Sequence, residues 1–171
     1  LRLVTSEMAH TRSVSIVFLI GAGVCYETDS EVGVSHFIEH ICFKGTKKRK
    51  NSKEISEAIE GIGGVLNGGT DKELTVFWCK VASQHFEEAV SVLVDILRNS
   101  RFYSKDINRE RQVIIEEINM SLDSPQQRVD MLIDELLWPE QPLGRDSAGK
   151  KETIANLRRH QLRNYFHSHY L

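Results

Sequence analysis

Apolar and polar residues alternate from Ser13 to Ile20, with Val14, Ile16, Phe18 and Ile20 on one side, the pattern of a half-buried strand. A second alternation covers Glu73 to Val81, and Gly63 to Thr70 reads as its pairing partner. Leu1 to Thr5 also reads as a strand, already in progress at the first residue. Elsewhere the period is helical. Val34, Phe37, Ile38 and Ile41 predict a helix over about 32–43, stopped by Gly45. Asn51 followed by Glu54 has the form of a capping box and opens a helix with Ile55, Ala58 and Ile59 that Gly61 closes. Phe86, Val90, Leu93, Val94 and Leu97 predict a helix from Ser83 to about Asn99, and Ile107, Val113, Ile114, Ile118 and Leu122 another from Ser104. Ser124-Pro125 starts a further helix, ending near Trp138, with proline at its first position. Pro139 to Gly149 reads as loop and 151–170 as helical. Together these elements predict one α+β domain over residues 1–171, its helices packed on one antiparallel sheet and its last element cut off at the C-terminal end.

Composition narrows the function classes. Lys+Arg 22 against Asp+Glu 24 gives a net charge of −2, and the only basic run is Lys47 to Lys50, so no nucleic-acid partner is expected. No stretch is apolar for the roughly 18 residues that a membrane span needs. Cys25, Cys42 and Cys79 are odd in number and far apart, which favours a reducing compartment of cytoplasmic or mitochondrial-matrix type over a disulfide framework. Phosphate-cradling glycine motifs are absent from the sequence.

The chemistry concentrates in His36-Phe37-Ile38-Glu39-His40. Helical residues four apart lie one above the other, so both imidazoles can reach one ion. The string H-x-x-E-H is the inverted zinc-hydrolase motif. A catalytic zinc takes a third protein ligand and leaves a position for water. The helix from Ser104 offers Glu110, Glu116 and Glu117, and the seven-residue step from 110 to 117 returns nearly to the same face, while Glu116 points about 100° aside. On that basis Glu117 is the candidate ligand and Glu110 a supporting carboxylate. The alternative is that all three are solvated surface acids. Glu39 is placed to lean toward a zinc-bound water as general base, accepting its proton and later returning it to a departing amine.

With these residues in hand, the chain resembles the pitrilysin/insulinase family of zinc endopeptidases, which includes the mitochondrial processing peptidases. The resemblance runs through Arg12-Ser13-Val14-Ser15, through Gly33-Val34-Ser35-His36-Phe37-Ile38-Glu39-His40-Ile41-Cys42-Phe43-Lys44-Gly45-Thr46, through Glu110-Arg111-Gln112-Val113-Ile114-Ile115-Glu116-Glu117-Ile118, and through Leu143-Gly144-Arg145, in the family's order. The 76 residues between His40 and Glu117, and the six between Glu110 and Glu117, match its ligand spacing. The resemblance implies Zn2+ held by His36, His40 and Glu117, Glu39 as base, and Glu110 in support. It further implies an extended peptide substrate added as a strand along a sheet edge, here at Asn67 and Gly68. Gly68-Gly69 departs from the family's usual Asn-Ala-aromatic or polar-Thr pattern and loosens that edge. Active members are built as two related halves closing over a chamber, so the resemblance implies a second homologous half, on the same chain or a partner subunit. Amide hydrolysis by a zinc-activated water is the expected reaction. A non-catalytic half of an assembly, needing its partner for activity, is the alternative.

Overall fold

A computed structural model describes residues 1–171, with strands β1 (Ser13–Ile20), β2 (Val65–Thr70) and β3 (Thr75–Ala82) and helices α1 (Val34–Cys42), α2 (Ser52–Glu60), α3 (Phe86–Asn99), α4 (Ser104–Asp123), α5 (Pro125–Leu137), α6 (Lys151–Asn156) and α7 (Arg159–His169). The fold is α+β, as the patterning predicts. The sheet is antiparallel in the order β1-β3-β2, and its central strand buries Thr75, Phe77, Cys79 and Val81 on one face. Strand register aligns Phe18, Phe77 and Gly68 in one row on that face, and Ile16, Cys79 and Leu66 in the next. Helices cover these rows. Alternation thus does at the sheet what it predicts: the half-buried side of β1 is Val14, Ile16, Phe18 and Ile20.

The buried helix at the centre of the core is α1. Val34, Phe37, Ile38 and Ile41 are fully buried, leaving His36, Glu39 and His40 on a half-buried side toward α4 and β2. Gly33 begins it with φ 93°, a left-handed conformation that suits glycine. Asn51 caps α2, its Oδ1 accepting from the Glu54 N–H at 3.0 Å, while Glu54 Oε2 accepts from the Lys50 N–H at 2.7 Å. α4 lays Ile107, Glu110, Ile114 and Ile118 on its buried side.

Four expectations need correction. Leu1 to Thr5 form no strand and are exposed throughout; the sheet consists of β1, β3 and β2 alone, and this segment pairs with none of them. The second strand starts at Val65 rather than Gly63, since Gly63 turns with φ 76° out of α2. Ser83 to His85 form a short 3-10 turn before α3, without a side-chain cap from Ser83. Residues 151–170 are two helices, not one. The chain is extended at Leu157 and Arg158, and the guanidinium of Arg111 on α4 takes up the freed carbonyls of Ile154 (3.1 Å) and Leu157 (2.5 Å). The Gln161 side chain then receives the Arg158 N–H at 2.9 Å and opens α7. Within the expected loop 139–149, Pro142–Gly144 make a single 3-10 turn.

Candidate metal centre

α1 and α4 pack against each other, and the seam between them gathers the predicted residues. The Nε2 atoms of His36 and His40 are 3.1 Å apart, with the rings edge to face at 84°. Glu117 Oε2 lies 3.7 Å from His36 Nε2 and 3.4 Å from His40 Nε2. Donors about 2.0–2.1 Å from one ion at tetrahedral angles stand about 3.4 Å from each other. The three separations bracket that value, so His36, His40 and Glu117 fit a single small cation with one direction left open. Two nitrogens and a carboxylate oxygen are also the donor types of a hydrolytic zinc site. Glu116, by contrast, is exposed about 100° round α4 from Glu117, as the helical period requires.

Glu110 stands behind His40. Its Oε2 is 3.2 Å from His40 Nδ1 and 2.9 Å from Lys44 Nζ, and the residue is only 3% exposed. An isolated carboxylate in that place would be expensive to bury. Burial favours its neutral form, but the hydrogen bonds from His40 and Lys44 and their charges prevail and hold the Glu110 pKa below the usual value. An acceptor on Nδ1 assigns the hydrogen to that nitrogen of His40 and leaves its Nε2 lone pair facing the cluster. Burial works against a charged His40, yet Glu110, Glu117 and Glu39 together raise its pKa. His36 is pushed the other way, down to about 4, by burial and then by the neighbouring His40 charge, partly offset by the Ala148 backbone. Its neutral form is the one that binds metal.

Glu39 leaves the histidine line and turns toward β2, where the Thr70 hydroxyl donates to its Oε2 at 3.2 Å. Burial raises its pKa, opposed by the His40 charge and the Thr70 hydrogen bond. A carboxylate so shifted is a stronger proton acceptor than one in water. Gly68 is beside it. A Cβ there would come within 2.8 Å of the Phe43 ring and 3.1 Å of Glu39 Oε1, so the missing side chain is what lets the strand lie next to the base. Asn67 is exposed on the alternate side of β2 and folds its Oδ1 onto the Gly68 N–H at 2.8 Å. The structure therefore brings His36, Glu39, His40, Gly68, Glu110 and Glu117 together and leaves Asn67 turned away.

Lys44 belongs to this site without a role assigned to it from the sequence, and Thr70, the last residue of the substrate-edge segment Asn67-Gly68-Gly69-Thr70, enters it through Glu39. Lys44 continues the four-residue step of His36 and His40, and Thr70 shares with Gly68 the inward parity of β2. Those two periodicities were the available signals.

A His-His-Glu cluster with an adjacent carboxylate, on an α+β scaffold, defines the class of inverted-motif metallohydrolases. Comparison with known proteins narrows this. Residues 2–151 match the family model described as Insulinase (Peptidase family M16), and the chain belongs to that family. It is 37% identical over 169 residues to the Bacillus subtilis (strain 168) protein named "Uncharacterized zinc protease YmxG", covering 99% of this chain and 41% of that protein. It is 36% identical over 173 residues to an Arabidopsis thaliana protein named "Probable mitochondrial-processing peptidase subunit beta, mitochondrial", covering 99% of this chain and 32% of that one. A protease structure from Helicobacter pylori superposes with TM-score 0.88 at 22% identity, over 94% of this chain and 39% of that chain, which is a likeness of fold. The chain thus spans 32–41% of the length of these proteins. No helix is long and apolar enough to cross a membrane.

Proposed function

We propose that this chain is the metal-binding and catalytic portion of a zinc-dependent endopeptidase. The convergence of His36, His40 and Glu117 to 3.1–3.7 Å carries this reading. Zinc held there supplies a Lewis acid that polarises the scissile carbonyl and acidifies water. Glu39 takes the proton from the attacking water and returns it to the departing amine. Glu110 fixes the His40 ring through Nδ1 and is itself fixed by Lys44, so the tautomer that offers Nε2 is built in before metal arrives. Thr70 holds the Glu39 carboxylate toward the β2 edge. An extended peptide added along β2 would lay its backbone beside that carboxylate, past Gly68. Extended segments of the presequence kind are the proposed substrates. The greater length of the relatives supports a second, homologous half, on the same chain or a partner, that completes the chamber.

The test is zinc stoichiometry and turnover of an internally quenched peptide for wild type, E39Q, E117A and E116A. One zinc per chain is expected for wild type, E39Q and E116A but not E117A, with hydrolysis lost in E39Q and E117A. Undiminished turnover in E39Q would remove Glu39 from its role, and full zinc in E117A would dismantle the ligand set.

A further inference from the structure

The first turn of α1, which carries His36, is gripped by residues outside the metal cluster. Glu27 is buried at 5% exposure, and its carboxylate accepts from the backbone N–H groups of Gly33 (2.6 Å) and Ser35 (2.8 Å). A helix start leaves such N–H groups without partners, and a negative charge there opposes the positive end of the helix dipole. Arg145 reaches in from the loop after α5. Its Nη1 donates to the Glu27 backbone oxygen at 2.6 Å and its Nη2 to Asp29 Oδ1 at 2.5 Å. The Arg145 carbonyl in turn accepts from Lys72 Nζ at 2.6 Å, an ammonium that also pairs with Asp134 at 2.7 Å.

The strap that follows Arg145, residues 146–149, lies directly on the start of α1. Gly33 and Gly149 both hold positive φ, 93° and 88°. A Cβ on Gly33 would stand 2.9 Å from the Ala148 oxygen and from the Gly149 Cα, and one on Gly149 would stand 2.6 Å from the Gly33 Cα. Only two facing glycines permit this approach. It brings the Ala148 backbone alongside the His36 ring, whose Nδ1 is buried and has no hydrogen-bond partner.

A histidine that offers one nitrogen to a metal has its orientation set by what receives the hydrogen on the other. His40 has Glu110 for this purpose, whereas no side chain meets His36 Nδ1 and only the strap lies beside it. We infer that Arg145 and Glu27 are positioning residues for His36: they clamp strap and helix start together so that the Ala148 carbonyl receives the Nδ1 hydrogen and Nε2 faces the cluster. Neither residue touches the cluster itself. The inference rests on the metal-site reading above.

The experiment measures zinc affinity of the full chain by competition with a chromogenic chelator, together with the visible d–d spectrum of the cobalt-loaded protein. Wild type, R145A, R145K and E27Q are compared well below the melting temperature of each. R145A and E27Q are expected to bind zinc about 10- to 100-fold more weakly, with an altered cobalt spectrum. R145K should recover only part, since an ammonium does not reproduce the two-pronged contact with Glu27 and Asp29. A merely structural contact would lower the melting temperature and leave affinity and spectrum unmoved. If R145A does not fold, E27Q and R145K decide by the same criterion. Wild-type affinity and spectrum in the folded variants overturn the clamp while sparing the metal site. Absence of zinc binding in wild type overturns both.

Discussion

α4 and α5 are consecutive helices joined only by Ser124, and their apolar residues repeat at similar spacing, yet they meet opposite fates. α4 buries Ile107, Ile114 and Ile118 to 5% exposure or less. α5 buries nothing: Val129, Leu132, Ile133 and Leu136, an i, i+3, i+4, i+7 stripe, remain 53, 45, 48 and 79% exposed. An amphipathic period therefore specifies a helix and a face without specifying cover. What distinguishes α4 is the pair of carboxylates in its seam with α1. Glu110, at 3% exposure, is tolerable only because His40 and Lys44 meet it there, so packing and chemistry fix the same register.

The contrast can be broken most severely at Glu117. E117A should abolish stoichiometric zinc while E116A, one residue along the same helix, retains it, as read by metal analysis after dialysis. Next is Glu39, which leaves α1 beside this seam and turns toward β2. E39Q should keep its zinc and lose about 10²- to 10⁴-fold in peptide turnover. The same substitution has a second signature. Burial raises the Glu39 pKa, so its ionised form opposes folding above the ordinary carboxylate range, and that penalty vanishes when both folded and unfolded states are protonated. Metal-free E39Q should therefore melt above wild type at neutral pH, with the gain fading below about pH 4 in thermal scans. E110Q should weaken zinc binding about 10- to 100-fold without removing a ligand, measured by chelator competition.

The smallest contrast isolates packing. I114A should cost about 2–5 kcal/mol in urea unfolding and L136A less than about 0.5 kcal/mol. A large cost for L136A would mean that the α5 stripe is covered in solution, and the distinction between the two helices would fall.

Much of the site was legible because its key residues obey helical arithmetic. The four-residue step from His36 to His40 and the seven-residue step from Glu110 to Glu117 put each pair on one face without knowledge of the fold, and the resemblance supplied the pairing of the two helices. Thr70 and Glu27 were less legible. The parity of β2 turns Thr70 inward but does not announce its contact with Glu39 across 31 residues, and Glu27 caps a helix that starts beyond an intervening turn, where no local period points to it. The break at Leu157–Arg158 was hidden for a related reason, since it is stabilised by Arg111 from a distant helix. The failed strand at Leu1 to Thr5 teaches the converse: alternation proposes a strand, but only pairing with a neighbour makes one, and this segment has no partner.

Arg111 follows Glu110 directly, lies over the Phe37 ring at 5.7 Å, and holds the carbonyls that end α6. One guanidinium thus ties the tail of the chain to the neighbours of both Glu110 and His36. Linked equilibria are reciprocal: if this tie couples the donor cluster to residues 151–170, a cation bound at the cluster should slow amide hydrogen exchange in that distant segment.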